Sequence, residues 1–191
     1  MTDHHAAGFA EAEWTAARSW DAYLETVVEK RDLWLANCRR VAVDADDAAR
    51  LVALPGPRRV LVITEDRCGD AARAVPVLAK ALADAPDVEV RYLDIKEHPS
   101  LIGRYLTHGG RSVPLAIVQD EHRRELGVWG PRPAALQALF RARQREFGGV
   151  PADLEEKGRF FQPILAWYAR DRGRAIVQEL LMLLERGGTP R

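Results

Sequence analysis

The sequence predicts an α/β fold, a mixed β-sheet with helices between and beside its strands, on three observations. Short apolar runs alternate with helix-length amphipathic stretches from Val60 to Arg145, as in parallel strands joined by helices. The polar stretch Asp120-Glu121-His122-Arg123 separates two apolar runs and reads as a hairpin, so part of the sheet is antiparallel. On both sides of this segment, aromatic and aliphatic residues recur at helical spacings with charges between them, which adds helical flanks.

Taken in order, Phe9, Trp14, Trp20, Tyr23, Leu24, Val27, Val28, Leu33 and Trp34 mark amphipathic helix up to Val43. Asp44 is placed to cap a short helix that ends at Pro55-Gly56-Pro57. Strands are expected at about Val60 to Ile63, Val88 to Asp94, Leu115 to Gln119 and Glu125 to Trp129, with helices at Gly69 to Ala83, Pro99 to Leu106 and Pro133 to Arg145. Gly148-Gly149-Val150-Pro151 breaks the chain, and a last helical segment carries Ile164, Leu165, Trp167, Tyr168, Ile176, Val177, Leu180, Leu181 and Leu184. Three regions result: an N-terminal helical extension (1–43), a central domain (44–147) and a C-terminal helical extension (148–191). Both extensions are too apolar to stay solvated, so each is expected to pack on the central domain or on a second copy, which makes a homodimer through the extensions an expectation.

Lys plus Arg equals Asp plus Glu at 28 each, so no global field recruits nucleic acid or an anionic membrane, and neither is expected as a partner. Met1-Thr2-Asp3-His4-His5 lacks a basic region followed by an apolar one, and no apolar run approaches the roughly 20 residues of a membrane span. A cytoplasmic location is the expectation. Two cysteines, Cys38 and Cys68, make no disulfide framework, and Cys38 among Leu35, Ala36 and Val41 reads as a small buried hydrophobe. His4, His5, His98, His108 and His122 are scattered without ligand spacing, so no metal and no cofactor is expected.

Cys68 is the most informative residue. The run Leu61-Val62-Ile63-Thr64 delivers it to the start of a helix, where backbone amides favour a thiolate. Around it stand Glu65-Asp66-Arg67-Cys68-Gly69-Asp70-Ala71, then Pro76, then Arg111-Ser112-Val113-Pro114 before an apolar strand, then Trp129-Gly130-Pro131-Arg132-Pro133. Over roughly Asp44 to Phe147 this order resembles the thioredoxin superfamily. More narrowly it is similar to bacterial single-cysteine thioredoxin-like proteins that carry Glu-Asp-Trp-Cys-x-Asp-Ala, Arg-Ser-x-Pro and Trp-Gly-x-Arg-Pro. The resemblance implies a thioredoxin-like mixed sheet sandwiched by helices, Cys68 at the position of the nucleophilic cysteine, and Pro114 at that of the cis proline. Three positions depart from thioredoxin or from this narrower pattern: Ala71 replaces the second cysteine, Arg67 the tryptophan beside the thiol, and Val62 the buried acid.

On this reading Cys68, Asp70 and Arg111 form the reactive set, with Arg111 favouring the thiolate and Asp66 and Asp70 opposing it. Glu65, Asp66, Arg67, Val113, Pro114, Trp129 and Arg132 are the expected substrate-binding positions. With no sulfur at Ala71 to clear a mixed disulfide, dithiol turnover is disfavoured, and Cys68 needs an outside thiol to be released unless the N-terminal region folds Cys38 over the site. The expected function is monothiol thiol–disulfide exchange with a low-molecular-weight thiol or a protein disulfide. The alternative is a non-catalytic thioredoxin-fold binding or adaptor module that uses the same groove.

Overall fold

The computed structural model describes residues 8–107 and 109–186; His4, His5 and His108 lie outside them. Four short helices come first: α1 (Glu11–Ala16), α2 (Trp20–Thr26), α3 (Arg31–Arg40) and α4 (Ala45–Val52). β1 (Arg58–Thr64), α5 (Ala71–Ala83), β2 (Val88–Asp94), α6 (Pro99–Ile102), β3 (Leu115–Gln119) and β4 (Glu125–Trp129) build the central layer. The chain then runs through α7 (Ala134–Phe147), α8 (Leu154–Asp171) and α9 (Arg174–Leu184). The sheet has the order β2-β1-β3-β4, with β1 parallel to β2 and antiparallel to β3, and β3 antiparallel to β4. This is the expected mixed sheet with helices on both faces.

The strand period of two divides β1 between two cores. Val60 and Val62 join Ala116 and Val118 under α5 and α9, where Val75, Leu78, Leu180 and Leu181 are buried. Leu61 and Ile63 point the other way and join Leu93, Leu115 and Ile117 under α1 and α6, with Trp14, Leu101 and Ile102. All four β1 side chains are fully buried, which is why the run is uniformly apolar rather than alternating. A third, smaller core of Leu136, Phe140, Phe160 and Ile164 holds α7 against α8.

The extensions complete these cores. Tyr23 and Trp34 are fully buried and pack with Tyr92 of β2, while Arg18 exchanges backbone hydrogen bonds of 2.8 Å with Tyr92 at the sheet edge. The N-terminal segment breaks into three short helices because turns at Ala17 and at Lys30 (φ 54°) redirect it around that edge. Asp44 caps α4 as expected, its carboxylate accepting from the Asp46 amide at 3.0 Å. α6 is shorter than the expected Pro99 to Leu106 and stops at Gly103. The last helical stretch divides at Arg172 and Gly173; Gly173 has φ 91°, and a Cβ there would lie 2.8 Å from Val77 of α5.

Arg58 ties α9 to β1. Its buried guanidinium donates to the carbonyls of Leu184 (2.9 Å), Arg186 (3.2 Å) and Pro57 (3.0 Å), so a cation sits at the helix C-terminus where the unpaired carbonyls gather. Replacing Arg58 by Met keeps apolar volume but leaves those carbonyls unmet. The variant is expected to lose about 1.5–3 kcal/mol, the range for hydrogen bonds to a charged group. Chemical denaturation reads this directly, and an unchanged midpoint would show that α9 is held by its apolar face alone.

Candidate functional site

Between the end of β1 and the start of α5 lies the segment Glu65 to Asp70, which the N-terminal extension holds from one side. The Trp34 indole N–H donates to the Asp66 carbonyl at 3.0 Å. The Asp66 carboxylate accepts from the Glu29 amide (3.0 Å), the Val28 amide (3.4 Å) and Lys96 Nζ (3.0 Å). Burial alone raises the pKa of such a carboxyl, but the two amides and the ammonium outweigh it and hold Asp66 below its ordinary value. Asp66 is therefore an anchor for the loop. Its carboxylate oxygens already accept from partners within the fold. Glu65 pairs with Arg67 at 2.6 Å, which leaves the Arg67 side chain 69% exposed where the related pattern has a tryptophan.

Cys68 faces the loop before β3. Its Sγ–H donates to the Val113 carbonyl at 3.3 Å, directly before the cis bond to the buried Pro114. The Ala71 amide, first of α5, lies 3.5 Å from the same sulfur. Burial raises the Cys68 pKa; the Ala71 amide opposes that, Asp70 adds to it, and Arg132 lowers it again, with a net upward shift. The close approach of the two loops depends on Gly130, whose φ of 117° and lack of a Cβ admit the Pro114 carbonyl; a Cβ would meet that oxygen at 2.2 Å.

Asp70 is the second anchor, and it ties in the C-terminal half. Its carboxylate pairs with Arg132 at 2.5 Å and accepts from the Tyr168 hydroxyl at 2.9 Å. Arg132 also donates to Gln137 at 3.0 Å and stacks on the Phe140 ring, 3.7 Å from its centroid. Burial, then the Asp70 charge and hydrogen bond, push the Tyr168 hydroxyl far up, so it stays a donor. Arg73, one turn into α5, donates to the Gly69 carbonyl at 2.7 Å and sits over the Tyr168 ring.

The expected site residues thus separate. Cys68, Val113 and Pro114 come together, with Asp70 and Arg132 beside them. Arg111 is exposed and makes no ion pair with a described residue; the cation at Asp70 is Arg132, brought there by the turn after β4. Trp129 is buried, and its indole N–H donates to Glu179 of α9 at 2.9 Å. Tyr168 was not expected at the site, although a phenol in an otherwise apolar helical stripe signals a buried polar partner. Ala71 is fully buried, and both cysteines are free thiols, with burial raising Cys38 as well. Among the described residues no group of three or more His, Cys, Asp or Glu side chains is placed to hold a metal ion, and no helix is long and apolar enough to cross a membrane.

A family model described as thioredoxin matches residues 17–146, more than half of the chain and including part of the N-terminal extension. Among curated proteins none matches. Of solved structures, the chain is similar to a protein of unknown function from Pseudomonas aeruginosa at 18% identity and a TM-score of 0.67, over 90% of this chain and 93% of that one. It is also similar to an HIV epitope-scaffold at 16% identity and a TM-score of 0.70, over 92% and 96% of the two chains. At these identities the likeness is one of fold.

The Asp66 anchor makes a pH-dependent prediction. A carboxyl held below its unfolded value of about 3.9 contributes stability that is full above that pH and is lost as pH falls through the lower folded value. Asp66→Asn, which weakens the contacts to the Val28 and Glu29 amides, is expected to cost about 2 kcal/mol at pH 7. The gap to the unmodified protein should narrow below about pH 3. Urea midpoints at the two pH values measure both; a gap that does not depend on pH would mean that the Asp66 charge stabilises nothing.

Proposed function

The chain belongs to the thioredoxin family, and on that premise we propose that it acts as a thioredoxin-fold binding module whose Cys68 thiol is kept protonated, and not as a disulfide reductase. The observation that carries this reading is the placement of Cys68 Sγ 3.3 Å from the Val113 carbonyl oxygen, an acceptor to which a thiol can donate. A thiolate there would face a carbonyl oxygen, acceptor against acceptor. Burial acts in the same direction, and Arg132, the nearby cation, is already neutralised by Asp70. This arrangement disfavours the thiolate that attack on a disulfide needs. The second sulfur that would clear a mixed disulfide is absent as well, since Ala71 occupies that position.

One observation favours the second reading, monothiol exchange. The Ala71 amide is aimed at Cys68 Sγ, as it would be to receive a thiolate. In that reaction the Cys68 thiolate attacks one sulfur of a disulfide, a new S–S bond forms, and the other sulfur leaves as a thiolate. An outside thiol must then attack the mixed disulfide to restore Cys68. The partner would be a low-molecular-weight thiol or a protein disulfide.

The pH dependence of alkylation separates the two. Because the folded pKa is raised, the reactive thiolate appears only as pH climbs through a midpoint above the free-cysteine value of about 8.5. Native Cys68 is accordingly expected to react more slowly at pH 7 than in the denatured chain. Asp70→Asn removes an opposing charge and releases Arg132 towards the sulfur, so its midpoint should fall, whereas Arg111→Ala should leave the midpoint in place. A native thiol that reacts at pH 7 faster than the denatured one would overturn the binding-module reading and establish exchange chemistry.

A further inference from the structure

We propose that the cleft between the two helical extensions is a docking trough for an acidic, partly apolar peptide segment of a partner protein. Two adjoining cavities of about 790 and 620 Å³ share Leu33, Arg73, Leu165 and Tyr168 along their walls and so form one continuous trough. α3 makes one wall and α8 the other, while the first turns of α5 make the floor, beginning at Gly69 beside Cys68. The inference deepens the binding-module reading and rests on it, since it names the partner.

The lining carries the argument. Lys30, Arg31, Arg39 and Arg40 stand on the α3 side, and Lys157 and Arg172 on the α8 side, with Arg73 between them. The carboxylates on the described lining are Asp32 and Asp70, and Asp70 is neutralised by Arg132. Arg31 and Arg73 donate only to backbone carbonyls, and Lys30, Arg39, Arg40, Lys157 and Arg172 form no ion pair with a described residue. In a chain whose formal charges cancel, this is a local excess of cation, and a cleft with low-dielectric walls focuses it on whatever enters.

The trough is not a purely ionic surface. Leu33, Phe161 and Leu165 face it between the cations, and Leu165 is 44% exposed. From Arg31 to Arg40 the helix rises about 14 Å and from Lys157 to Arg172 about 22 Å at ~1.5 Å per residue. That length takes roughly four to seven residues of extended chain at ~3.3 Å each. A segment that alternates Glu or Asp with Leu or Phe meets the cationic rims and the apolar stripe together. A phosphate backbone would use only the cations and leave the apolar stripe exposed.

Fluorescence anisotropy with a labelled peptide of about twelve residues, Glu alternating with Leu, tests this on the full chain. Saturable binding is expected, weakened about tenfold when salt rises from about 50 to 300 mM. Arg39→Glu with Arg40→Glu should weaken it about tenfold, and Lys157→Glu on the opposite wall should weaken it as well, all at exposed positions. Arg123→Glu, on the hairpin at the other end of β3, should not. Absence of binding up to about 1 mM, equal binding of the same peptide with Lys for Glu, or tighter binding of a single-stranded oligonucleotide each overturns the assignment. The thiol reading fails separately: a fast native thiol leaves peptide binding by a Cys68→Ser variant intact, and loss of peptide binding leaves the alkylation midpoint where it was.

Discussion

The contact on which the site depends is the Asp70 carboxylate held between Arg132 and Tyr168. Asp70 immediately precedes α5, Arg132 follows β4, and Tyr168 lies near the end of α8, so one side chain joins the central helix to the α7–α8 hairpin. Three consequences follow from it. Arg132 is pinned over Phe140 and is spent on Asp70, which removes it as an effective counter-ion for Cys68. The Tyr168 ring is fixed as a wall beside Arg73. The segment from Cys68 to Asp70 becomes a shared floor, with the thiol on one side and the cationic trough on the other.

The energetics decide between a reactive and a quiet thiol. Amides at a helix start favour an anion by about 0.3–1 kcal/mol. Burial of an ionisable group acts on a scale of pKa units, at about 1.4 kcal/mol each. With Cys68 against the Val113–Pro114 loop and the nearby Arg132 paired with Asp70, burial prevails over the Ala71 amide. The departures from the thioredoxin pattern agree with this balance. Ala71 is fully buried and brings no thiol to the site, and Val62 is likewise fully buried among apolar neighbours in place of an acid.

Much of this was legible in the sequence, and the boundary is physical. The central strands β1 and β3 announce themselves because a strand covered on both faces needs an apolar run; β1 extends beyond its apolar part to Arg58, since a buried arginine depends on carbonyls of α9 over a hundred residues away. Cys68, Val113 and Pro114 were readable as short motifs, because each motif is a local turn solution. Which arginine reaches Asp70 was not. Arg111 and Arg132 are equivalent on paper, and only the path of the chain after β4 brings Arg132 to the loop. The same holds for Trp129, whose indole is turned inward by Glu179 of α9, and for Tyr168, whose hydroxyl has its partner 98 residues earlier.

The extensions change what the central sheet offers to a partner. The N-terminal helices anchor the Cys68 loop through Asp66 and Trp34, and α8 anchors it through Asp70, so the loop is braced from both sides. Bracing of that kind holds Cys68 against the Val113 carbonyl. It also sets α3 and α8 apart across α5, with their cations facing one cleft. The same anchors thus build a charged trough beside the thiol, and a trough formed before binding spares a partner the cost of ordering it.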